Sequence, residues 1–150
     1  MKTAFFGHSG FCDSDKYEEQ MLSIIDNYAC KEKVEFLLGN YGGFDKFAYS
    51  CCKKYKADSG NASLIFVTPY IMEGYRKNLE YASEIYDCII YPEIEDKPKK
   101  FAICYRNRYM VEQADLIICY FKVKYGGAYQ AIHYAKRSGK EIINIADVEL

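Results

Sequence analysis

The sequence predicts an α/β protein in which helices cover both faces of a mainly parallel sheet. Short apolar segments typical of buried strands alternate with segments that have helical spacing. The segment from Leu116 to Phe121 is apolar throughout, as expected for a strand that is buried on both faces of a parallel sheet. Three of the strand segments end in glycine-containing turns that lead into helices. Together these features indicate a three-layer α/β/α architecture.

The predicted elements alternate along the whole chain. The strands are 2–6, 34–38, 63–67, 87–91, 115–121 and 141–145. The helices are about 14–30, 44–56, 75–86, about 100–113 and 127–138. Because 150 residues are enough for one domain with its own core, we expect a single domain over residues 1–150.

The first two strand–helix units show the pattern most clearly. The strand from Lys2 to Phe6 ends at Gly7, and the strand from Val34 to Leu38 ends at Gly39. An apolar stripe with helical spacing follows each strand. The stripes are Tyr17, Met21, Ile24, Ile25 and Tyr28, and then Phe44, Phe47, Ala48, Cys51, Cys52 and Tyr55.

The later units follow the same plan. The charged segment 93–100 is predicted to be a solvated loop, with Pro98 setting the start of the helix over about 100–113. Strand 115–121 then leads through Gly126 and Gly127 into helix 127–138.

The glycine turns predict where a ligand would bind. In a parallel sheet all strands end on one edge, so the turns after strands 2–6, 34–38 and 115–121 should converge there. The helix that follows each turn presents unpaired N–H groups, which favour an anion such as a phosphate.

Composition excludes several classes of function. The formal net charge of −1 argues against a nucleic-acid-binding surface. No apolar run reaches transmembrane length and the N-terminus does not resemble a signal peptide, so we expect a cytoplasmic protein with no membrane partner. The seven cysteines include no C-x-x-C pair and the chain has only two histidines, so free thiols packed as small hydrophobes, no metal and no cofactor are predicted.

Arg106 and Asn107 are the polar residues of most interest in helix 100–113. Asn107 falls on the inward stripe formed by Ile103, Met110 and Val111, and Arg106 lies beside it. Polar side chains on a core-facing stripe need partners. Either they hold a phosphate or a ribose, or they brace neighbouring loops, and the sequence leaves both interpretations open.

The order and spacing of these motifs resemble the SLOG superfamily, which comprises Rossmann-like domains similar to the LOG ("lonely guy") proteins. The resemblance spans nearly the whole chain and is closest to a small branch from Gram-positive bacteria and their phages. It is carried by Gly7-His8, Gly42-Gly43-Phe44-Asp45, Arg106-Asn107 with Met110, and Ala114-Asp115 leading to Gly126-Gly127. It implies a Rossmann-like fold and a nucleotide or nucleotide-derivative ligand.

The resemblance also suggests an enzyme, but the catalytic pattern is incomplete. LOG enzymes cleave a base from ribose 5′-phosphate with an Arg in R-K-x-x-M and a Glu that closes P-G-G-x-G-T-x-x-E. Arg106 and Met110 match the first motif, whereas Tyr125 replaces the Pro and His133 stands at the position of the Glu. Arg106 and His133 are therefore the remaining catalytic candidates, although helical spacing places His133 opposite Ala131 and predicts a surface or interface residue.

Two further residues have alternative interpretations. His8 either contacts a ligand phosphate or hydrogen-bonds across the first turn. Asp45 either caps the second helix or hydrogen-bonds a ribose hydroxyl. The full set of candidate ligand-binding residues is Gly7, His8, Ser9, Gly42, Gly43, Asp45, Arg106, Asn107, Gly126, Gly127, Ala128 and Tyr129.

Three functions follow as hypotheses. The first is a non-catalytic sensor or binding module for a nucleotide-like ligand, which is favoured because the glycine turns are kept and the catalytic Glu is not. The alternatives are a LOG-type phosphoribohydrolase and a structural module that binds a partner. The resemblance also implies a homodimer or higher homo-oligomer, with Tyr105, Tyr109, Tyr129 and Tyr134 supplying aromatic surface near the ligand edge.

Overall fold

A computed structural model describes residues 1–30, 32–69 and 76–150, with the backbone alone at 76–78. The strands in these ranges are β1 (Lys2–Gly7), β2 (Val34–Leu38), β3 (Ala62–Val67), β4 (Cys88–Ile90), β5 (Leu116–Tyr120) and β6 (Glu141–Asn144). The helices are α1 (Ser14–Ala29), α2 (Gly43–Ser59), α3 (Arg76–Ile85), α4 (Ala102–Gln113) and α5 (Gly127–Arg137). A 3-10 turn at Lys99–Phe101 precedes α4. The predicted fold class is confirmed; residue 75 of the predicted helix 75–86 lies outside the described residues.

Helix α2 is longer than predicted because its end is set by a glycine beyond the apolar stripe. Gly60 adopts φ +71°, and its N–H donates to the Lys56 carbonyl over 2.7 Å. This left-handed cap satisfies one of the last free carbonyls of the helix. The helix therefore continues to Ser59 instead of ending near residue 56.

The sheet is parallel at every described pair of strands, in the order β4-β3-β2-β1-β5-β6. Strand β1 therefore lies between β2 and β5, with Ala4 paired to Leu37 on one side and to Ile117 on the other. The chain runs outwards from β1 to β4 and then crosses back to β5 on the opposite side of β1. This change of direction creates a switch point at the C-terminal ends of β1 and β5, where open α/β sheets bind ligands.

Two hydrophobic layers hold the helices on the sheet. One contains residues of α1, α2 and α3 with Phe5 and Ile118, and the other contains residues of α4 and α5 with Phe6 and Ile117. Neighbouring residues of β1 and β5 thus point into opposite layers, which explains why these strands are apolar without alternation. Each fully buried side chain of this size stabilises the fold by about 1.5–3 kcal/mol.

All seven cysteines lie in the described part of the chain, and none forms a disulfide. Cys51, Cys52 and Cys119 are buried, as predicted for thiols that pack as small hydrophobes. Cys12, Cys30 and Cys88 are exposed, so that prediction is wrong for these three. Among the described helices, none has the length and apolar character needed to cross a membrane.

Candidate ligand-binding site at the sheet edge

A cleft of about 300 Å³ opens at the switch point. Its walls come from the end of β1 and the turn after it, the loop after β2 with Asp45 of α2, one face of α4, and the segment from Phe121 into α5. The lining residues are Phe5, Phe6, Gly7, His8, Ser9, Gly39, Tyr41, Asp45, Ile103, Arg106, Asn107, Met110, Phe121, Tyr125, Gly126, Gly127, Ala128 and Tyr129. The volume is at the lower end of the range for small-molecule sites, about 300–1,000 Å³.

The turn after β1 packs directly onto the start of α2. The Gly43 N–H donates to the Ser9 carbonyl over 2.7 Å. A Cβ at Gly43 would lie 2.2 Å from the Phe11 carbonyl oxygen, and one at Gly42 would lie 2.7 Å from Ser9 Cα. Gly42 and Gly43 are thus required for packing between two turns, and they do not line the cleft. The anion site expected at the start of α2 is closed by the protein itself.

The start of α5 is open. Gly126 has φ +104°, and a Cβ built on Gly126 or Gly127 would meet no heavy atom within 4 Å. Within the described ranges, no backbone acceptor outside the helix meets the N–H groups of Gly127, Ala128 or Tyr129. These three residues line the cleft. The site therefore has free helix N-terminal donors, with the positive end of the helix dipole behind them.

Arg106 braces the edge of the sheet from within the cleft wall. The side chain is only 3% exposed. Its Nη1 donates to the carbonyls of Gly39, over 2.9 Å, and Val67, over 2.8 Å, while Nε donates to Asn107 Oδ1 over 2.8 Å. Helix α4 is thereby tied to the segments that end β2 and β3. Of the two interpretations left open by the sequence, the bracing role is the one that these contacts show.

Asp45 belongs to the same polar cluster. Its Oδ2 accepts a 2.8 Å hydrogen bond from the Tyr41 N–H. Burial raises the pKa of the carboxyl to about 6, against the opposing effects of the Arg106 charge and the Tyr41 N–H. Since Tyr41 precedes α2, Asp45 fixes the loop before the helix and does not cap the first-turn N–H groups.

His8 connects the turn after β1 to the segment after β5. Its Nε2 accepts a hydrogen bond from the Lys122 N–H over 3.1 Å, and its ring lies edge-on to Phe121, with centroids 5.0 Å apart. Burial lowers the pKa of the imidazole, which favours the neutral form that this bond requires. The hydrogen bond across the turns is the alternative that the structure shows for His8.

The same architecture occurs in two solved structures. DNA processing protein A (DprA) from Streptococcus pneumoniae superposes with a TM-score of 0.52 at 14% identity, over 99% of this chain and 62% of that one. The structural-genomics target TM1055 superposes with a TM-score of 0.58 at 14% identity, over 94% of this chain and 71% of that one. The fold is Rossmann-like. This chain thus spans less than two thirds of the DprA chain, and no family model and no curated protein matches its sequence.

Most of the candidate residues predicted from the sequence lie together in the cleft. Those that line it are Gly7, His8, Ser9, Asp45, Arg106, Asn107, Gly126, Gly127, Ala128 and Tyr129. Gly42 and Gly43 lie outside it. His133 is exposed and lines a separate depression between α4 and α5, with Cys104 and Gln130 among its neighbours. Asn107 and Gly127 line both this depression and the cleft, whereas His133 lines only the depression and is not among the cleft residues.

Sequence reasoning missed several cleft residues, above all Tyr41 and Tyr125. They are 66% and 73% exposed. A signal was present, since Tyr41-Gly42-Gly43 and Tyr125-Gly126-Gly127 repeat the same tripeptide before two helices. Ile103 was placed on the inward stripe of α4, but it is 37% exposed because this end of the helix passes the open edge of the sheet. Among the described residues, no cluster of His, Cys, Asp and Glu side chains could hold a metal ion.

Proposed function

We propose that this chain is a nucleotide- or nucleotide-derivative-binding domain of the SLOG type, which holds its ligand without turning it over. The observation that carries the proposal is the open N-terminus of α5 inside the switch-point cleft. Free backbone donors at a helix N-terminus suit a phosphate group. The Rossmann-like fold shared with DprA and TM1055 supports the family resemblance.

In this proposal the N–H groups of Gly127, Ala128 and Tyr129 bind the phosphate. Asn107 lies beside them in the cleft wall, and its amide is oriented because its oxygen accepts from Arg106 Nε over 2.8 Å. Its amide nitrogen then donates to the sugar or the phosphate. Arg106 contributes positive charge to the wall while its hydrogen bonds keep the loop after β2 in place.

The test uses two variants of one residue. Gly127 is the first residue of α5, a position that accepts proline, so Gly127→Pro deletes one N–H donor and keeps the helix. Gly127→Ala adds side-chain atoms at the same place and keeps the donor. Calorimetry with nucleoside 5′-monophosphates should show about tenfold or greater weakening in the Pro variant relative to the Ala variant, as expected for one lost hydrogen bond to a charged group. Equal affinities, or no binding by the unmodified protein, would refute the proposal.

A second candidate is an N-glycosidic hydrolase, and Asp45 is the observation that favours it. Breaking the bond between a base and a ribose needs a carboxylate to stabilise the oxocarbenium-like sugar and to activate water. The pattern of the LOG enzymes places a Glu at the position of His133, which lies outside the cleft, whereas Asp45 lines it and has a pKa of about 6. Asp45 would then act as the base that removes a proton from the attacking water.

Chromatography of nucleoside 5′-monophosphates after incubation with the protein tests this second candidate. An enzyme would release free base, with a rate that rises as pH increases through about 6 and is abolished in Asp45→Asn. Binding without release of base supports the first candidate over the second.

We also propose self-association through α4 and α5 beside the ligand edge. Tyr105, Tyr109, Tyr129 and Tyr134 are all partly buried there. The Arg108 guanidinium lies 5.4 Å from the ring of Tyr105 and 5.5 Å from the ring of Tyr134. Light scattering at micromolar concentration should give a multiple of the 17.4 kDa chain mass, and a monomer would contradict this proposal.

A further inference from the structure

Two exposed tyrosines stand on opposite sides of the switch point. Tyr41 lies in the loop after β2 and Tyr125 in the segment after β5, and both line the same cleft. Because β1 lies between β2 and β5, these loops emerge on either side of the end of β1. Single exposed aromatic residues are common on protein surfaces. Two exposed tyrosines that flank one small cleft, each directly before a Gly-Gly pair, are a less common arrangement than single exposed aromatic residues.

The loop that carries Tyr41 is held at three consecutive residues by three different parts of the fold. The Gly39 carbonyl accepts from Arg106 Nη1 of α4 over 2.9 Å. Asn40 has φ +54°, and its Oδ1 accepts from the Tyr86 hydroxyl over 3.2 Å. The Tyr41 N–H donates to Asp45 Oδ2 of α2 over 2.8 Å. The exposed ring therefore projects from a fixed backbone, so little conformational entropy is lost when it contacts a ligand.

The loop that carries Tyr125 is fixed at its base. The Phe121 N–H donates to Asn144 Oδ1 over 3.0 Å, and the Lys122 N–H donates to His8 Nε2 over 3.1 Å. Tyr125 then immediately precedes Gly126 and the open donors of α5. Tyr125 is thus two residues before Gly127, the first of these donors, and lines the same cleft.

The cleft is therefore divided chemically. The polar groups are the buried Arg106 and Asn107, the Asp45 carboxyl and the backbone donors at the open start of α5, while Tyr41, Tyr125 and the partly exposed Ile103 supply apolar surface. A ligand that matches both parts has an anionic end and a flat apolar end. Stacking of a base on an aromatic side chain tolerates any base, because every base has a π-face.

We propose that Tyr41 and Tyr125 form a two-sided platform for the planar ring of the ligand, so that the site takes a base-bearing mononucleotide and discriminates against sugar phosphates without a base. This inference rests on the proposed nucleotide site at α5. It adds the element that distinguishes a nucleotide from ribose 5-phosphate. Because stacking is indifferent to base identity, all four nucleoside 5′-monophosphates should benefit from the two tyrosines.

The experiment compares AMP with ribose 5-phosphate on the full chain, using calorimetry. Tyr41→Ala and Tyr125→Ala should each weaken AMP binding by at least about fivefold, the lower range for loss of one stacked base. Ribose 5-phosphate binding should not change, and Tyr41→Phe and Tyr125→Phe should bind AMP as the unmodified protein does. Tyr81→Ala is the matched control, because Tyr81 is 59% exposed on α3 and does not line the cleft.

Each contrary result has a separate meaning. Alanine variants that bind AMP normally, or that lose AMP and ribose 5-phosphate equally, overturn the platform. A loss at only one of the two tyrosines overturns its two-sided form. If Gly127→Pro still weakens both ligands, the phosphate site at α5 survives these outcomes. If Gly127→Pro affects neither ligand, the proposed function itself fails.

Discussion

Tyr41-Gly42-Gly43 and Tyr125-Gly126-Gly127 begin two helices with nearly the same backbone. The first glycine has φ +88° and ψ −177° before α2, and φ +104° and ψ 165° before α5. In both cases the second glycine is the first helical residue. The difference lies in what surrounds them: the turn after β1 covers the start of α2, and no heavy atom lies within 4 Å of a Cβ placed at Gly126 or Gly127.

The comparison shows that identical tripeptides can be needed for different reasons. Before α2, the glycines allow one turn to pack on another, and the Gly43 N–H donates a hydrogen bond to the Ser9 carbonyl. Before α5, they leave backbone donors open to the cleft. A glycine turn in a sequence therefore predicts a close approach of the backbone, but the approaching group is either protein or ligand.

The largest effect should come from filling the closed turn. Gly43→Ala places a methyl group 2.2 Å from the Phe11 carbonyl oxygen, so the turn after β1 has to move. We expect the free energy of unfolding to fall by about 3 kcal/mol or more, at the upper end of overpacking effects. Urea denaturation measures this loss of unfolding free energy. Gly10→Ala is the control, since a Cβ there meets no heavy atom within 4 Å, and equal stability of the two variants would contradict this account of the closed turn.

Removing the brace beneath the closed turn should have the next largest effect. Arg106→Ala deletes the hydrogen bonds to Gly39, Val67 and Asn107 from a side chain that is 3% exposed, and it frees the Gly39 carbonyl at the base of the loop that leads to Gly42. We expect a loss of about 2–4 kcal/mol in unfolding free energy, because buried carbonyls are left without a donor. Thermal unfolding measures the change. Arg106→Lys keeps the charge without the fork of donors and should be intermediate; an unchanged melting temperature in Arg106→Ala would exclude the brace.

Backbone strain can be separated from packing by comparing the first glycines of the two turns. Gly126→Ala should cost about 1–3 kcal/mol in unfolding free energy, because its backbone conformation is nearly restricted to glycine. Gly42→Ala carries the same strain and also places a Cβ 2.7 Å from Ser9 Cα, so its loss should be larger. Paired denaturation curves give the difference. If the two losses are the same, packing does not distinguish the turns.

The smallest predicted effect concerns His8, which links the two regions. Burial lowers the pKa of His8 in the folded state, so His8 of the unfolded chain is protonated at a higher pH than His8 of the folded protein. The free energy of unfolding therefore decreases as pH falls below about 6.5. His8→Gln keeps an acceptor for the Lys122 N–H and should remove this part of the acid sensitivity. Melting temperatures at pH 7.5 and 5.5 provide the readout.

The result of that experiment is the difference in pH dependence of the melting temperature between the unmodified protein and His8→Gln. Asp45, with a pKa raised to about 6, takes up a proton in the same range and opposes the effect, since protonation there favours the folded state. An unchanged pH dependence in His8→Gln would show that the bond to Lys122 does not couple to protonation.

The order and type of the elements could be predicted from the sequence because they follow from local patterns. The apolar run from Leu116 to Phe121 and the stripe of α2 each reflect burial that any parallel sheet imposes. The closing of Gly42 and Gly43 could not be predicted, because it depends on the turn after β1 meeting a loop more than thirty residues later. The hydrogen bonds of Arg106 to Gly39 and Val67 could not be predicted either, because these residues are distant in sequence and accept through backbone carbonyls, which every residue has.

The position of β1 in the sheet has a consequence for folding. Thr3 pairs with Phe36 on one side and with Leu116 on the other, and the Lys2 N–H donates to Asp115 Oδ2 over 2.8 Å. The first neighbour of β1 is made early during synthesis, and the second only after more than a hundred residues. Closing so long a loop is entropically costly and slow. The β1–β4 half therefore has its strand partners before β5 is synthesised. We expect the ligand cleft to form only after β5 has paired with the open edge of β1 and α5 has followed it.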